Sequence, residues 1–108
     1  MSKTISVDCT RISDWESFHD EFSKAFRFPD FYGRNRDAWV DCMTTPSEMT
    51  DVGLRSEDVV TISLIDGQGL KDRAPKLLTD LFEMVAFVNL RHIEAGEPGR
   101  LCVSGSII

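Results

Sequence analysis

Phe28-Pro29-Asp30-Phe31-Tyr32-Gly33-Arg34-Asn35-Arg36-Asp37-Ala38-Trp39-Val40-Asp41-Cys42-Met43-Thr44 is the stretch on which the reading of this chain turns. Pro29 biases Phe28 away from helical dihedrals and so closes the helix before it. Gly33 permits a tight or left-handed turn. Asn35 has the side chain of a helix N-cap, an oxygen that accepts a backbone N–H of the first turn. A helix from Arg36 to about Met43 follows. Its buried stripe is Ala38, Trp39, Cys42 and Met43, while Asp37, Val40, Asp41 and Thr44 recur at i, i+3, i+4 and i+7 on another face. That face is expected to be exposed and acidic, with one aliphatic residue in its middle and the aromatic pair Phe31 and Tyr32 beside it.

Before this stretch, Thr4 to Cys9 alternates polar and apolar residues with the period of a strand, Ile5, Val7 and Cys9 sharing a face. Ser13-Asp14-Trp15-Glu16 has the S-x-x-E form of a capping box, and Trp15, Phe18, Phe22, Ala25 and Phe26 then recur at helical spacing. After it, residues 45–58 read as a polar surface loop with room for one short helical turn. Val59 to Ile65 is a second strand rich in β-branched residues, closed by turn chemistry at Asp66-Gly67-Gln68-Gly69. From about Arg73 to His92 a helical stripe of Leu77, Leu78, Leu81, Phe82, Val85 and Val88 or Asn89 is expected, with Pro75 in its first turn. Arg100 to Ile108 supplies a third strand.

The order β-α-α-β-α-β, with helices between strands, predicts an α/β fold: one domain over residues 1–108, a three-stranded parallel sheet packed with helices. Polar alternation at Ser6, Thr61, Ser63 and Ser104 predicts that one sheet face is less covered than the other.

The 108 residues include 42% apolar and 28% charged side chains, ordinary for a globular protein, and no apolar run approaches the length of a membrane span. The N-terminus lacks the apolar segment of a secretory signal, so a cytoplasmic location is expected. Eighteen acidic against twelve basic residues give a net charge of −6, which disfavours nucleic acid as a direct ligand and favours a basic protein partner. A monomer is expected.

Cys9, Cys42 and Cys102 are widely spaced, form neither a disulfide framework nor a zinc motif, and read as reduced, mostly buried thiols. His19 and His92 read as surface or half-buried side chains. Cys42 is a poor nucleophile, late in its helix beside Asp41. Asp37 and Asp41 stand one turn apart like an acid–base pair, but nothing in the sequence supplies the apolar burial such a pair needs. An exposed like-charge pair costs a helix about 0.2–0.5 kcal/mol, a cost with a ready use where both carboxylates meet cations on a partner. The alternative is a solvated face balanced by Arg34 and Arg36. No cofactor, metal or enzymatic activity is expected.

Phe28 to Met43 resembles the signature of the barstar family, intracellular inhibitors of barnase-like ribonucleases, which reads roughly L-P-x-Y-Y-G-x-N-x-D-A-L-W-D-C-L. The resemblance implies the barstar fold and an inhibitor of the immunity or antitoxin type, whose second helix and preceding loop plug the active site of a basic ribonuclease. Carried over position by position, it implies a partner-binding surface of Phe31, Gly33, Asn35, Asp37, Val40, Asp41 and Thr44, with Asp41 as the central anion. Phe31 stands where the family has tyrosine, and Val40 where it has an exposed tryptophan. Trp39 falls where leucine is usual, Thr45-Pro46 replaces Gly-Trp, and the loop to Asp58 is longer. The family's acidic contact from the last helix region has Asp72 as its nearest counterpart. A barstar-fold module that regulates a protein other than a nuclease is the competing expectation.

Overall fold

In the computed structural model, which describes residues 2–105, three parallel strands lie side by side in chain order. They are β1 (Ser2–Asp8), β2 (Val59–Ile65) and β3 (Leu101–Gly105). The register sets Ile5 beside Ile62, Val7 beside Leu64 and Val60 beside Leu101, so the apolar positions of the strands share one face. On that face Val7, Val60, Ile62, Leu64 and Leu101 are buried. The other face carries rows of small polar residues, Thr4–Thr61–Cys102 and Ser6–Ser63–Ser104, exposed or half-buried. This is the α/β architecture and element order expected from the sequence, with the less covered face where the polar alternation put it.

Among the described residues five α-helices complete the fold: α1 (Trp15–Phe26), α2 (Arg36–Thr44), α3 (Pro46–Met49), α4 (Gly67–Arg73) and α5 (Pro75–Glu94). Phe18, Phe22 and Phe26 of α1 are fully buried, and the Trp39 ring of α2 packs edge-on against Phe22 with centroids 5.7 Å apart. Aromatic side chains dominate this core because each removes about 150–250 Å² from water. Trp39 is inside, as its phase on α2 predicted, although its indole N–H has no acceptor among the described residues.

Several expectations are corrected. β1 ends at Asp8 rather than Cys9, because the Asp8 carboxylate accepts from the Thr10 N–H at 3.0 Å and starts a 3-10 turn over Cys9–Arg11. The cap of α1 is Asp14, one residue later than Ser13: its carboxylate accepts from the Ser17 N–H at 2.8 Å, and the Ser17 hydroxyl accepts from the Asp14 N–H at 3.1 Å.

Asp66 to Gly69 is not a turn but the start of α4. Two glycines argue against a helix there, yet Leu70 is fully buried, and the Arg73 guanidinium donates to the Cys9 and Ile12 carbonyls, so tertiary contacts override propensity. A side chain at Gly69 would run into the Asp66 carboxylate. On α5, Met84 takes the place in the buried stripe expected of Phe82, which is 36% exposed. The cysteines are mostly buried as expected, Cys9 and Cys42 inside and Cys102 exposed on the open sheet face. His19 is buried, neither at the surface nor half-buried. The third strand is met for Leu101–Gly105, and its expected remainder, 106–108, lies outside the described residues.

Candidate protein-binding face

The loop from Phe28 to Asn35 is tied to α1 at three points. The Phe28 ring stacks on that of Phe26 of α1, with centroids 5.9 Å apart. The Tyr32 hydroxyl and His19 Nδ1 are hydrogen-bonded at 2.6 Å. Arg34 Nη2 reaches the Asp20 carboxylate at 2.8 Å and the Glu16 carbonyl at 3.1 Å. Burial, followed by the nearby Arg34 charge, lowers the His19 pKa, and burial raises that of Tyr32. The left-handed residue of the turn is Arg34, at φ 54°, not Gly33. A Cβ at Gly33 would stand 3.4 Å from that of Ala38, so neither dihedral nor space demands glycine, and the exposed position simply leaves the backbone bare.

Asn35 then caps α2 as the sequence predicted, its side-chain oxygen accepting from the Ala38 N–H at 2.8 Å. The helix presents Asp37 and Asp41 to solvent, with Phe31 beside them, 76% exposed. Val40 does not join them. At 7% exposure it is buried, which corrects the expectation of an exposed aliphatic centre. α2 is wedged between the core beneath Trp39 and the flank of α5, so its buried arc spans more than one stripe. Thr44 is half-buried, its hydroxyl donating to the Val40 carbonyl at 2.6 Å.

The charges around this face differ from the balance that the sequence left open. Arg34 is held by Asp20, and Arg36 turns to α5, 3.9 Å from Asp80 and 3.8 Å from Glu83. Neither arginine pairs with the acidic face, and among the described residues Asp37 takes part in no ion pair. Asp41 is matched from fifty positions away: Arg91 Nη1 of α5 lies 3.0 Å from its Oδ1 and 3.5 Å from the Thr44 hydroxyl, with the guanidinium over the Phe87 ring at 5.3 Å. One carboxylate is therefore free and the other carries a cation from the same chain.

A cleft of about 420 Å³ runs beside the face between α2 and α5, floored by Val40 and Met84, with Asp37 and Glu83 on its rim and Phe87 and Arg91 in its wall. A smaller recess of about 160 Å³ lies between Phe31, Gly33, Asp41 and Met49. Glu83, Phe87 and Arg91 were not legible as part of this region, because only the packing of α5 on α2 brings them there. Asp72 is elsewhere, on the exposed side of α4 and hydrogen-bonded to Gln68, so the acidic residue that α5 supplies beside Asp37 is Glu83.

Chemically the face is suited to receiving cations. Both carboxylates are exposed, without the apolar enclosure that tunes a catalytic acid. Burial, reinforced by Asp41, pushes the Cys42 thiol up to about 11, far from nucleophilic at neutral pH. Among the described residues no cluster of three or more His, Cys, Asp or Glu is placed to hold a metal ion, and no helix is long and apolar enough to cross a membrane.

Comparison with known families matches residues 2–101 to the family described as Barstar (barnase inhibitor). The chain belongs to the barstar family. It is also similar to a Bacillus subtilis (strain 168) protein named "Putative ribonuclease inhibitor YrdF", with 40% identity over 42 residues. That stretch is 39% of this chain and 46% of the relative, less than half of its length.

Proposed function

We propose that this chain is a protein inhibitor of a basic, barnase-like ribonuclease, of the immunity or antitoxin type, acting in the cytoplasm. It blocks the nuclease active site with the Phe28–Asn35 loop and α2. The observation that carries this reading is the acidic face itself: Asp37 and Asp41 are exposed on one side of α2 while Arg34 and Arg36 are both engaged elsewhere. A ribonuclease active site must hold an anionic phosphate, so it presents cations, and two rigidly placed carboxylates can stand in for that phosphate. The helix is capped and anchored before binding, so little order has to be gained on association.

Each residue of the face then has a role. Asp41 is the central anion. Asp37 supplies a second charge in the first turn, where the helix dipole also favours an anion. Phe31 covers apolar surface at the edge, Gly33 and Asn35 let the partner approach the backbone, and Thr44 closes the far end. Val40 supports the face from beneath. The net charge of −6 adds long-range attraction for a basic partner, which raises the association rate more than the lifetime of the complex.

The test is inhibition of barnase and of basic ribonucleases encoded next to this chain, by wild type, Asp37→Ala and Asp41→Ala. Tight inhibition that Asp41→Ala weakens steeply is the expected result. Inhibition of none of these enzymes, together with capture of a partner that is not a nuclease, would transfer the face to a different target.

A further inference from the structure

We propose that a pocket between α3 and the end of α5 binds a primary alkylammonium group, the chemistry of a lysine side chain or of a free amine. Residues 45–58, which join α2 to β2, build one side of it. Pro46 starts α3 and brings Ser47 and Glu48 into the wall. The chain then returns through a turn in which the Asp58 N–H donates to the Arg55 carbonyl at 3.1 Å and the Arg55 N–H to Asp58 Oδ2 at 2.9 Å. His92 from the last turns of α5, with Glu97 and Arg100 from the segment that leads to β3, complete the polar lining, and the buried Met43, Val60 and Leu101 supply an apolar wall. The space is about 210 Å³. That is below the roughly 300–1,000 Å³ of sites for drug-sized ligands and suits one group of side-chain size.

Asp58 decides what the pocket takes. It is 2% exposed and forms part of the wall; with Oδ2 engaged in the turn, its Oδ1 has no hydrogen-bond donor among the described residues. A buried acceptor left unpaired is costly, the more so on a charged group, and a charged donor relieves it best. The balance of charge agrees. Glu97 is hydrogen-bonded to His92 at 3.0 Å, and its carboxyl is held below the usual range by that bond and, less strongly, by the Arg100 charge. Glu97 thereby offsets Arg100. Glu48 and Asp58 remain, and among the described residues neither takes part in an ion pair, so no cation of the chain neutralises them. One free oxygen on Asp58 favours an ammonium over a guanidinium, which grips a carboxylate best through both oxygens. An alkyl stem then lies on the apolar wall, as lysine stems do elsewhere. Thr44, at the end of the acidic face, also borders this pocket, but the proposal does not rest on the ribonuclease reading, because a small amine tests it without a nuclease.

The full chain, 15N-labelled, is titrated with n-butylammonium chloride in exchange for sodium chloride, at a constant ionic strength of ~0.15 M. The amides of Arg55 and Asp58 should shift and saturate with a dissociation constant of about 1–10 mM, as fits so small a ligand. Nuclear Overhauser effects from the butyl methylenes to the Met43, Val60 and Leu101 methyl groups should place the ligand without any substitution. Asp58→Asn keeps an oxygen for the Arg55 N–H and should weaken binding at least tenfold. Nα-acetyl-lysine N-methylamide, which carries the same ammonium on a peptide backbone, separates the sources. Binding as tight as that of butylammonium assigns the pocket to a lysine of a protein, weaker binding to a free amine.

Shifts that never saturate overturn the proposal, as do Overhauser effects to other methyl groups only. So does sodium butyrate or 1-butanol binding as tightly as butylammonium, the first of which would assign the pocket to Arg100. A folded Asp58→Asn chain that binds butylammonium as wild type does has the same force.

Discussion

Replacing Arg91 by methionine separates the charge of the acidic face from its shape. Arg91 lies 3.0 Å from Asp41, and the two side chains are 42% and 65% exposed. An ion pair so open to water is worth at most about 1 kcal/mol of stability, and the guanidinium over Phe87 adds about 0.5–1 kcal/mol. Methionine keeps most of the packing but neither charge contact, so the protein should lose about 0.5–2 kcal/mol. Binding should move the other way. A partner cation that reaches Asp41 comes to lie ~6 Å from the Arg91 charge, and at an effective dielectric constant between ~40 and ~80 the repulsion is about 0.7–1.4 kcal/mol. Arg91→Met should therefore bind a basic ribonuclease roughly three- to tenfold more tightly, mainly through faster association, and the gain should shrink as salt is added. Stopped-flow association and dissociation rates at two ionic strengths provide the assay. Binding that weakens, or a change that salt does not alter, would refute the reasoning and make Arg91 a residue that orients Asp41 rather than one that neutralises it.

Three further outcomes follow from the same geometry. Asn35→Ala removes the cap of α2 and should cost about 1 kcal/mol, lowering the melting temperature by roughly 4 °C in a thermal scan. His19, whose pKa in the folded chain is held below the ordinary histidine value by burial, binds its proton more readily when unfolded. Its contribution to stability is present above about pH 6.5 and is lost as pH falls from there toward the lowered folded value. Urea midpoints between pH 8 and 5 should decline in that window for wild type and much less for His19→Gln. The carboxylates held low by hydrogen bonds, half-buried Asp8 and exposed Asp14, act only further down, below about pH 4. Finally, a thiol reagent at neutral pH should label Cys102 quickly. Cys9 and Cys42, both buried with their pKa pushed up to about 11, should react only in denaturant, and rapid native labelling of either would contradict their placement.

The features that the sequence made legible are those set by neighbours along the chain. Asn35 before a helical period marks the start of α2, the phase of that period puts Trp39 inside, and the β-branched run at Val59–Ile65 is a strand with those bounds. What failed depended on contacts across the chain. Val40 is buried because α2 meets α5 as well as the core, a second neighbour to which a single-stripe reading of a short helix is blind. α4 forms despite Gly67 and Gly69 because Leu70 and Arg73 are anchored by the β1 end and its 3-10 turn. The pairing of Arg91 with Asp41, and the exposure of Phe82 in place of Met84, follow from how α5 is rotated against its neighbours, which periodicity bounds but does not fix. Of the anticipated face, Phe31, Gly33, Asn35, Asp37 and Asp41 are exposed and contiguous in the loop and α2, and Thr44 is half-buried at its end.

The central claim is that Asp41 is the anion that meets a ribonuclease's cations. Its most direct test is the dissociation constant of wild type and Asp41→Ala for a basic ribonuclease that the wild type inhibits, measured with the purified proteins. Truncating one partner of a close interfacial charge pair costs about 2–5 kcal/mol, a range that rests on the barnase–barstar pair itself and is carried over from it. A loss of at least thirtyfold is expected, with the thermal stability of the free inhibitor lowered by no more than the loss of one exposed ion pair. Equal affinity of the two proteins for that nuclease would contradict it.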